Sequence, residues 1–211
     1  VFRNGEWRAD LNRDAAWRER EDLAFTFGEP GDTPVVGDWD ATGHHRVGVF
    51  RNGEWFLDIS GNLEFATRDD ESYKFGQAGD KAVTGDWDST GRHRFGVFRN
   101  GIWTLDLDGD HKQGAGDVTF RFGQTGDVPL FADWDNSGKP RVGVFRDGVW
   151  LLDIDGNREW SESLDRTVSF GQAGDIPVTG DWDGTGRIRI GVFRDGVWML
   201  DRNGDMRWDE A

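Results

Sequence analysis

Internal repetition constrains this chain more than any other feature, because a sequence that repeats folds into units that stack on copies of themselves. Gly-Asp-Trp-Asp stands at Gly37 to Asp40, Gly85 to Asp88 and Gly180 to Asp183, and Ala132 to Asp135 keeps the Asp-Trp-Asp. Phe-Gly-x-x-Gly-Asp begins at Phe27, Phe75, Phe122 and Phe170. Val-Phe-Arg-Asn/Asp-Gly-x-Trp places its Phe at positions 2, 50, 98, 145 and 193. Every spacing is 47 or 48, the one shortening falling in the loop after Asp106.

Within a unit the apolar period is two. Arg189 to Arg194 sets Ile190, Val192 and Arg194 against Arg189, Gly191 and Phe193, and Asp195-Gly196 then signals a two-residue hairpin turn into Val197 to Asp201. A short strand from Pro177 precedes this pair, and a complete unit adds a fourth strand ending at Phe-Gly, as in Val168 to Gly171. Four short antiparallel strands per unit predict an all-β, propeller-like tandem array of blades. The blades span 29–76, 77–123 and 124–171, with partial blades at 1–28 and 172–211. Apolar residues never recur with helical spacing, which excludes a helical solenoid. An open stack of small sheets stands beside the propeller as a second β arrangement.

Composition bounds the partners. With 40 acidic and 25 basic residues the formal charge is -15, which argues against a nucleic-acid partner, since phosphate binding needs a basic footprint. The absence of cysteine excludes disulfides, thiolate metal sites and a Cys nucleophile. No apolar run approaches a membrane span. Asp outnumbers Glu 30 to 10 and Arg outnumbers Lys 21 to 4. That bias fits either a loop-rich β protein whose Asp residues serve turns, or a protein of a high-salt organism, where salt screens self-repulsion.

Most of the 12 Trp residues fall into repeated sets. Trp39, Trp87, Trp134 and Trp182 lie between two Asp residues, and Trp7, Trp55, Trp103, Trp150 and Trp198 open the third strand. Ten residues later come Trp17, Phe65, Trp160 and Trp208. Recurrence at equivalent strand positions predicts packing between blades rather than stacking on a ligand.

The string Phe-Gly-x-x-Gly-Asp-x-Pro-Val-x-Gly-Asp-Trp-Asp-x-x-Gly-x-x-x-x-Gly-Val-Phe-Arg resembles the FG-GAP/VCBS-type repeats related to the integrin α-subunit propeller, over nearly the whole chain. The resemblance implies a β-propeller in an extracellular or cell-surface protein, calcium loops, and a role in adhesion or ligand recognition. The family's calcium loop carries oxygen ligands at positions 1, 3, 5 and 9, with Gly at 6. Here positions 1, 3 and 5 are Asp38, Asp40 and Thr42; Asp86, Asp88 and Thr90; Asp133, Asp135 and Ser137; and Asp181, Asp183 and Thr185. Position 9 is Arg46, Arg94, Arg141 or Arg189, a side chain that cannot ligate a cation. Two carboxylates about 5 Å apart repel by roughly 3 kcal/mol at an effective dielectric of 20. The expectation is that an internal Arg–Asp pair has replaced calcium in these four loops.

A second acidic loop follows the third strand. Positions 1, 3 and 5 read Asp10, Asn12 and Asp14; Asp58, Ser60 and Asn62; Asp106, Asp108 and Asp110; Asp153, Asp155 and Asn157; and Asp201, Asn203 and Asp205. A further acid comes later at Asp22, Asp70, Asp117 and Asp165. Alternate oxygens with a later converging acid suit calcium, which collects six to eight hard ligands, better than magnesium with its rigid octahedron. The competing reading is a hairpin turn in which Asp and Asn bond their own backbone. The Asp106 and Asp153 copies are the better calcium candidates, and the Asp58 copy the weaker.

Nothing in the sequence points to catalysis. The four histidines, His44, His45, His93 and His111, show no local zinc-ligand spacing. There is no Gly-x-Ser-x-Gly elbow or phosphate-binding loop. The acids recur in each unit, whereas a catalytic centre is singular. The expectation is a recognition module for a protein or glycan, with a lectin that binds sugars between blades as one alternative. A self-assembling repeat is the other alternative. Val1 already belongs to a motif, and the partial end blades overlap by two strands, which predicts either a longer propeller or association through exposed strand edges.

Overall fold

The computed structural model describes residues 1–12, 14 and 16–208, and all of its regular structure is antiparallel β. β1 (Phe2–Arg3), β2 (Glu6–Ala9) and β3 (Leu23–Thr26) make a three-stranded sheet. Three four-stranded sheets follow. The first holds β4 (Thr33–Gly37), β5 (Arg46–Arg51), β6 (Glu54–Leu57) and β7 (Glu71–Lys74). The next holds β8 (Lys81–Gly85), β9 (Arg94–Arg99), β10 (Ile102–Leu105) and β11 (Val118–Arg121). The last holds β12 (Val128–Ala132), β13 (Arg141–Arg146), β14 (Val149–Leu152) and β15 (Arg166–Ser169). β16 (Ile176–Gly180), β17 (Arg189–Arg194) and β18 (Val197–Leu200) close the series with three strands. In every sheet, strands adjacent in sequence are hydrogen-bonded neighbours, so each is an up-and-down blade of a propeller-type fold. Met206 to Trp208 are irregular, and residues 209–211 lie outside the described residues.

Local chemistry explains the hairpins. The second and third strands of each blade meet at Asn-Gly or Asp-Gly, where both residues have positive φ, as Asp147 (50°) and Gly148 (90°) do. Two left-handed residues make the turn whose twist matches the strands on either side. Gly148 is required for a second reason: a Cβ there would lie 2.5 Å from the Gly171 carbonyl oxygen.

The chain divides into two compact units, one comprising Val1–Val97 with Leu105–Asp117, the other Phe98–Thr104 with the chain from Val118 onward. In the first, Trp55 is fully buried and Phe95 of the next blade stacks on it, with centroids 4.7 Å apart and planes at 16°. In the second, Ile190 and Val192 of the last blade join Trp134, Trp150, Leu152 and Phe170 in one cluster. The indole N–H groups of Trp55, Trp103 and Trp150 donate to the carbonyls of Phe75, Phe122 and Phe170 at 2.8, 2.8 and 2.9 Å, so these rings are buried without an unpaired donor. Burying a ring of 150–250 Å² contributes several kcal/mol at about 25 cal/mol per Å².

The third aromatic set departs from the expected core role. Phe65, Trp160 and Trp208 each turn an edge to Phe27, Phe122 and Phe170 of the preceding blade, yet Trp160 remains 38% exposed. Trp198 of the last blade is 49% exposed where its counterparts Trp55, Trp103 and Trp150 are fully buried. Among the described residues, no helix is long and apolar enough to cross a membrane.

Candidate functional site

The Asp-Trp-Asp loops are closed by their own residues. The position-1 carboxylate caps the turn: Asp38 accepts the N–H groups of Thr42 and Gly43 at 3.0 and 2.6 Å, and Asp86, Asp133 and Asp181 do the same. The position-3 carboxylate takes the Thr hydroxyl, 2.7 Å for Thr42 to Asp40 and 2.7 Å for Thr185 to Asp183. It also takes the position-9 arginine. Arg46 lies 2.8 Å from Asp40, Arg141 lies 3.1 Å from Asp135, and Arg94 and Arg189 pair with Asp88 and Asp183. Hydrogen bonds from Thr42, Ser137 and Thr185, together with the arginines, hold Asp40, Asp135 and Asp183 below the usual carboxylate range. At Asp88 burial works upward and is outweighed by Thr90, Asp86 and Arg94. With a guanidinium against the carboxylate, these loops do not fit calcium.

The same arginines reach the second acidic loop of their own blade. Arg46 donates to the Ile59 carbonyl, and Arg189 to the Arg202 carbonyl at 2.7 Å. Each lies over the Gly at position 4 of that loop. A Cβ on Gly156 would stand 3.1 Å from Arg141 Nε, and one on Gly204 would stand 2.5 Å from Arg189 Nη1. One cation therefore ties the two acidic loops of a blade together and, with the positive φ of Gly61, Gly109, Gly156 and Gly204, accounts for Gly at position 4 in these four copies.

In the second loop the first acid is deeply buried at Asp58, Asp106, Asp153 and Asp201, and exposed at Asp10. These buried carboxylates cap their own turns, Asp153 accepting Gly156 N–H at 2.7 Å and Arg158 N–H at 3.1 Å. The later acid closes the loop from the other side. Asp165 accepts Ile154 and Ser161 N–H, Asp70 accepts Ile59, Ser60 and Ala66 N–H, and Asp22 accepts Leu11 and Arg18 N–H. Among the described residues, three carboxylates converge in two copies: Asp106, Asp108 and Asp117, and Asp153, Asp155 and Asp165, with one oxygen from each within 4.8 Å of the others. Asp110 at position 5 is not among the converging carboxylates of the first group, and the side chains at position 5 bond locally. Asp110 accepts Lys112 N–H, and Asn157 accepts Glu159 N–H while donating to Asp155. In the Asp58 copy Ser60 donates to Asp58 and Asn62 caps Glu64. In the Asp10 copy Asn12 donates to Asp14 and Glu21.

The two convergent groups suit a hard cation. Burial raises the Asp117 carboxyl, and the neighbouring Asp106 and Asp108 raise it further. Its Oδ1 is buried without a hydrogen-bond partner. Burial likewise raises Asp153, with Asp165 adding to it. Asp106 ends below the usual range because hydrogen bonds from His111, at 3.1 Å, and from Gly109 N–H outweigh its burial. A cation at either group would relieve carboxylate repulsion, and at the first it would also satisfy an orphaned oxygen.

Sequence reading missed a further repeated pair. The Asp of Phe-Gly-x-x-Gly-Asp is buried at Asp32, Asp80, Asp127 and Asp175. Asp32, Asp127 and Asp175 each receive a two-pronged arginine, from Arg51 (2.6 and 2.8 Å), Arg146 (2.6 and 2.9 Å) and Arg194 (2.5 and 2.7 Å). The signal is in the sequence, since both residues recur at a constant separation, but they belong to two different motifs. Beside the Arg146 pair opens a cleft of about 630 Å³, lined by Phe122, Arg146, Leu151, Trp160, Glu162 and Thr167 among others. Compared with protein-family models, with curated proteins and with solved structures, the chain matches none.

Proposed function

We propose that this chain is a non-catalytic recognition module of FG-GAP/VCBS-type propeller repeats, working outside the cell or at its surface, where it binds a protein or glycan ligand in adhesion. The observation that carries this reading is the use made of the carboxylates. From blade to blade the same acids accept hydrogen bonds from their own loops or from arginines, which supports a structural rather than a catalytic use of them. Catalysis needs a singular constellation of groups around one reacting atom. The extracellular setting rests on the sequence resemblance.

Calcium belongs to the same reading. Asp106, Asp108 and Asp117, and separately Asp153, Asp155 and Asp165, would hold it. Bound there, it supplies the charge that lets three carboxylates share one loop. Scanning calorimetry with calcium against EDTA tests this: calcium should raise Tm, and Asp108→Asn with Asp155→Asn should remove the rise. Coincident melts would end the calcium part and leave the recognition reading standing.

The cleft favours a glycan over a protein ligand. A half-exposed indole beside Arg146, Glu162 and Thr167 pairs an apolar platform with hydrogen-bonding groups, the combination that a sugar ring requires. On a glycan array the chain should bind a defined set of sugars, and Trp160→Ala should lose them. Binding that survives Trp160→Ala would move the ligand elsewhere, and a blank array would leave the protein ligand.

A further inference from the structure

His45 and His93 occupy the same position in the Asp-Trp-Asp loops of neighbouring blades, 48 residues apart in sequence. The fold brings their rings together, with centroids 5.0 Å apart and planes at 66°. His45 is exposed, whereas His93 is partly buried and its Nδ1 is enclosed without a hydrogen-bond partner. The backbone fixes this arrangement from the His93 side. His93 N–H donates to the Asp38 carbonyl of the neighbouring blade at 2.8 Å, and Arg92 Nε donates to the Trp39 carbonyl at 2.5 Å. The His93 main chain is thus tied to the loop that carries His45.

We propose that His45 and His93 form a two-imidazole site for a borderline divalent transition metal such as zinc or nickel, bracing the second blade against the third. Two imidazoles that ligate one ion at about 2.0–2.1 Å, with a tetrahedral angle between them, have centroids about 5 Å apart. The observed centroid separation of 5.0 Å matches that spacing. Imidazole selects zinc, nickel or copper over calcium, whose ligands are hard oxygens. The surroundings favour such an ion. The Asp86 and Asp38 carboxylates place negative potential on the partly buried His93 ring, which attracts a cation. The site shares no residue with the carboxylate groups assigned above to calcium, so it stands or falls independently of the recognition reading.

The test is calorimetric titration of zinc chloride into the EDTA-stripped chain, run with millimolar calcium so that the carboxylate loops are saturated. Wild type should bind one zinc per chain. His45→Ala and His93→Ala should each weaken binding by about tenfold or more, since losing a ligand costs at least what losing an outer-shell partner does. His44→Ala should leave affinity unchanged, and zinc should raise the wild-type Tm by mass action. His45 is exposed, so its variant reports on the site even if His93→Ala perturbs packing. Absence of saturable zinc binding would overturn the proposal, as would affinity unchanged in His45→Ala. Loss of binding in His44→Ala would also overturn it, by placing zinc on the adjacent surface pair instead.

Discussion

Arg146 holds Asp127 with two parallel hydrogen bonds, Nε to Oδ1 at 2.6 Å and Nη2 to Oδ2 at 2.9 Å, across a separation of 19 residues. The Asp127 side chain is fully buried, whereas the Arg146 side chain is 35% exposed. Asp127 also accepts Gln124 N–H at 2.8 Å, which makes it at once a turn cap and an anchor for β13. A bidentate Arg–carboxylate contact adds geometric specificity as well as energy.

Removing the acid strands both donors. Asp127→Ala should destabilise the fold by about 2–3 kcal/mol, less than for a wholly buried pair because Arg146 keeps part of its hydration. The double variant with Arg146→Met should recover part of that loss. Urea unfolding measures both, and an unchanged midpoint for Asp127→Ala would contradict the anchoring role.

The arginine bridge between the acidic loops makes two similar glycines unequal. Gly138 has φ of 80° with nothing within 4 Å of a built Cβ, and Gly156 has φ of 78° with Arg141 Nε 3.1 Å away. Alanine at Gly138 should cost only the left-handed strain, about 1–2 kcal/mol. At Gly156 it should cost more, because the guanidinium must also give way. Equal losses in thermal melts would show that Arg141 does not bear on this loop.

Trp150 and Trp160 belong to repeated aromatic sets with different duties. Trp150 is fully buried and bonded to the Phe170 carbonyl, so Trp150→Ala should cost about 3–5 kcal/mol. Trp160 is 38% exposed at the cleft, and Trp160→Ala should cost about 1 kcal/mol in stability while abolishing ligand binding. Chemical denaturation separates the two, and a larger loss at Trp160 would return it to the core.

Acid should act on this protein with two signs. Asp40, Asp135 and Asp183, and Asp175 beside Arg194, sit below their ordinary value of 3.8. Depressed folded-state values mean that the unfolded chain takes up these protons first. Their contribution is therefore complete above 3.8 and lost as pH falls below it. Asp117 and Asp153 are raised, so in calcium-free protein their contribution is present below 3.8 and lost as pH rises through the raised values. Calcium requires them deprotonated, so its stabilising effect should shrink on acidification. Melts across this range with calcium and with EDTA measure both effects; a calcium shift that grows on acidification would contradict the assignment.

The sequence by itself determined the repeat, the four-strand unit and the hairpins, because these follow from short-range rules. Alternation puts Trp55 and Leu57 on one face of β6, and Asn52-Gly53 admits the left-handed turn wherever it falls in the fold. The position-9 arginines were also legible as partners of nearby acids, since only a few residues separate Arg46 from Asp40. Tertiary structure alone decided the rest. The Asp127–Arg146 grip, the reach of Arg189 to the Arg202 carbonyl and the meeting of His45 with His93 join positions 13 to 48 residues apart. Such pairs depend on how strands align and how one blade lies on the next, and neither periodicity nor local spacing carries that information. The same limit applies to Trp160 and Trp150: one repeat-equivalent pattern marks both as aromatic, and only the depth of packing makes one core and leaves the other at a cleft.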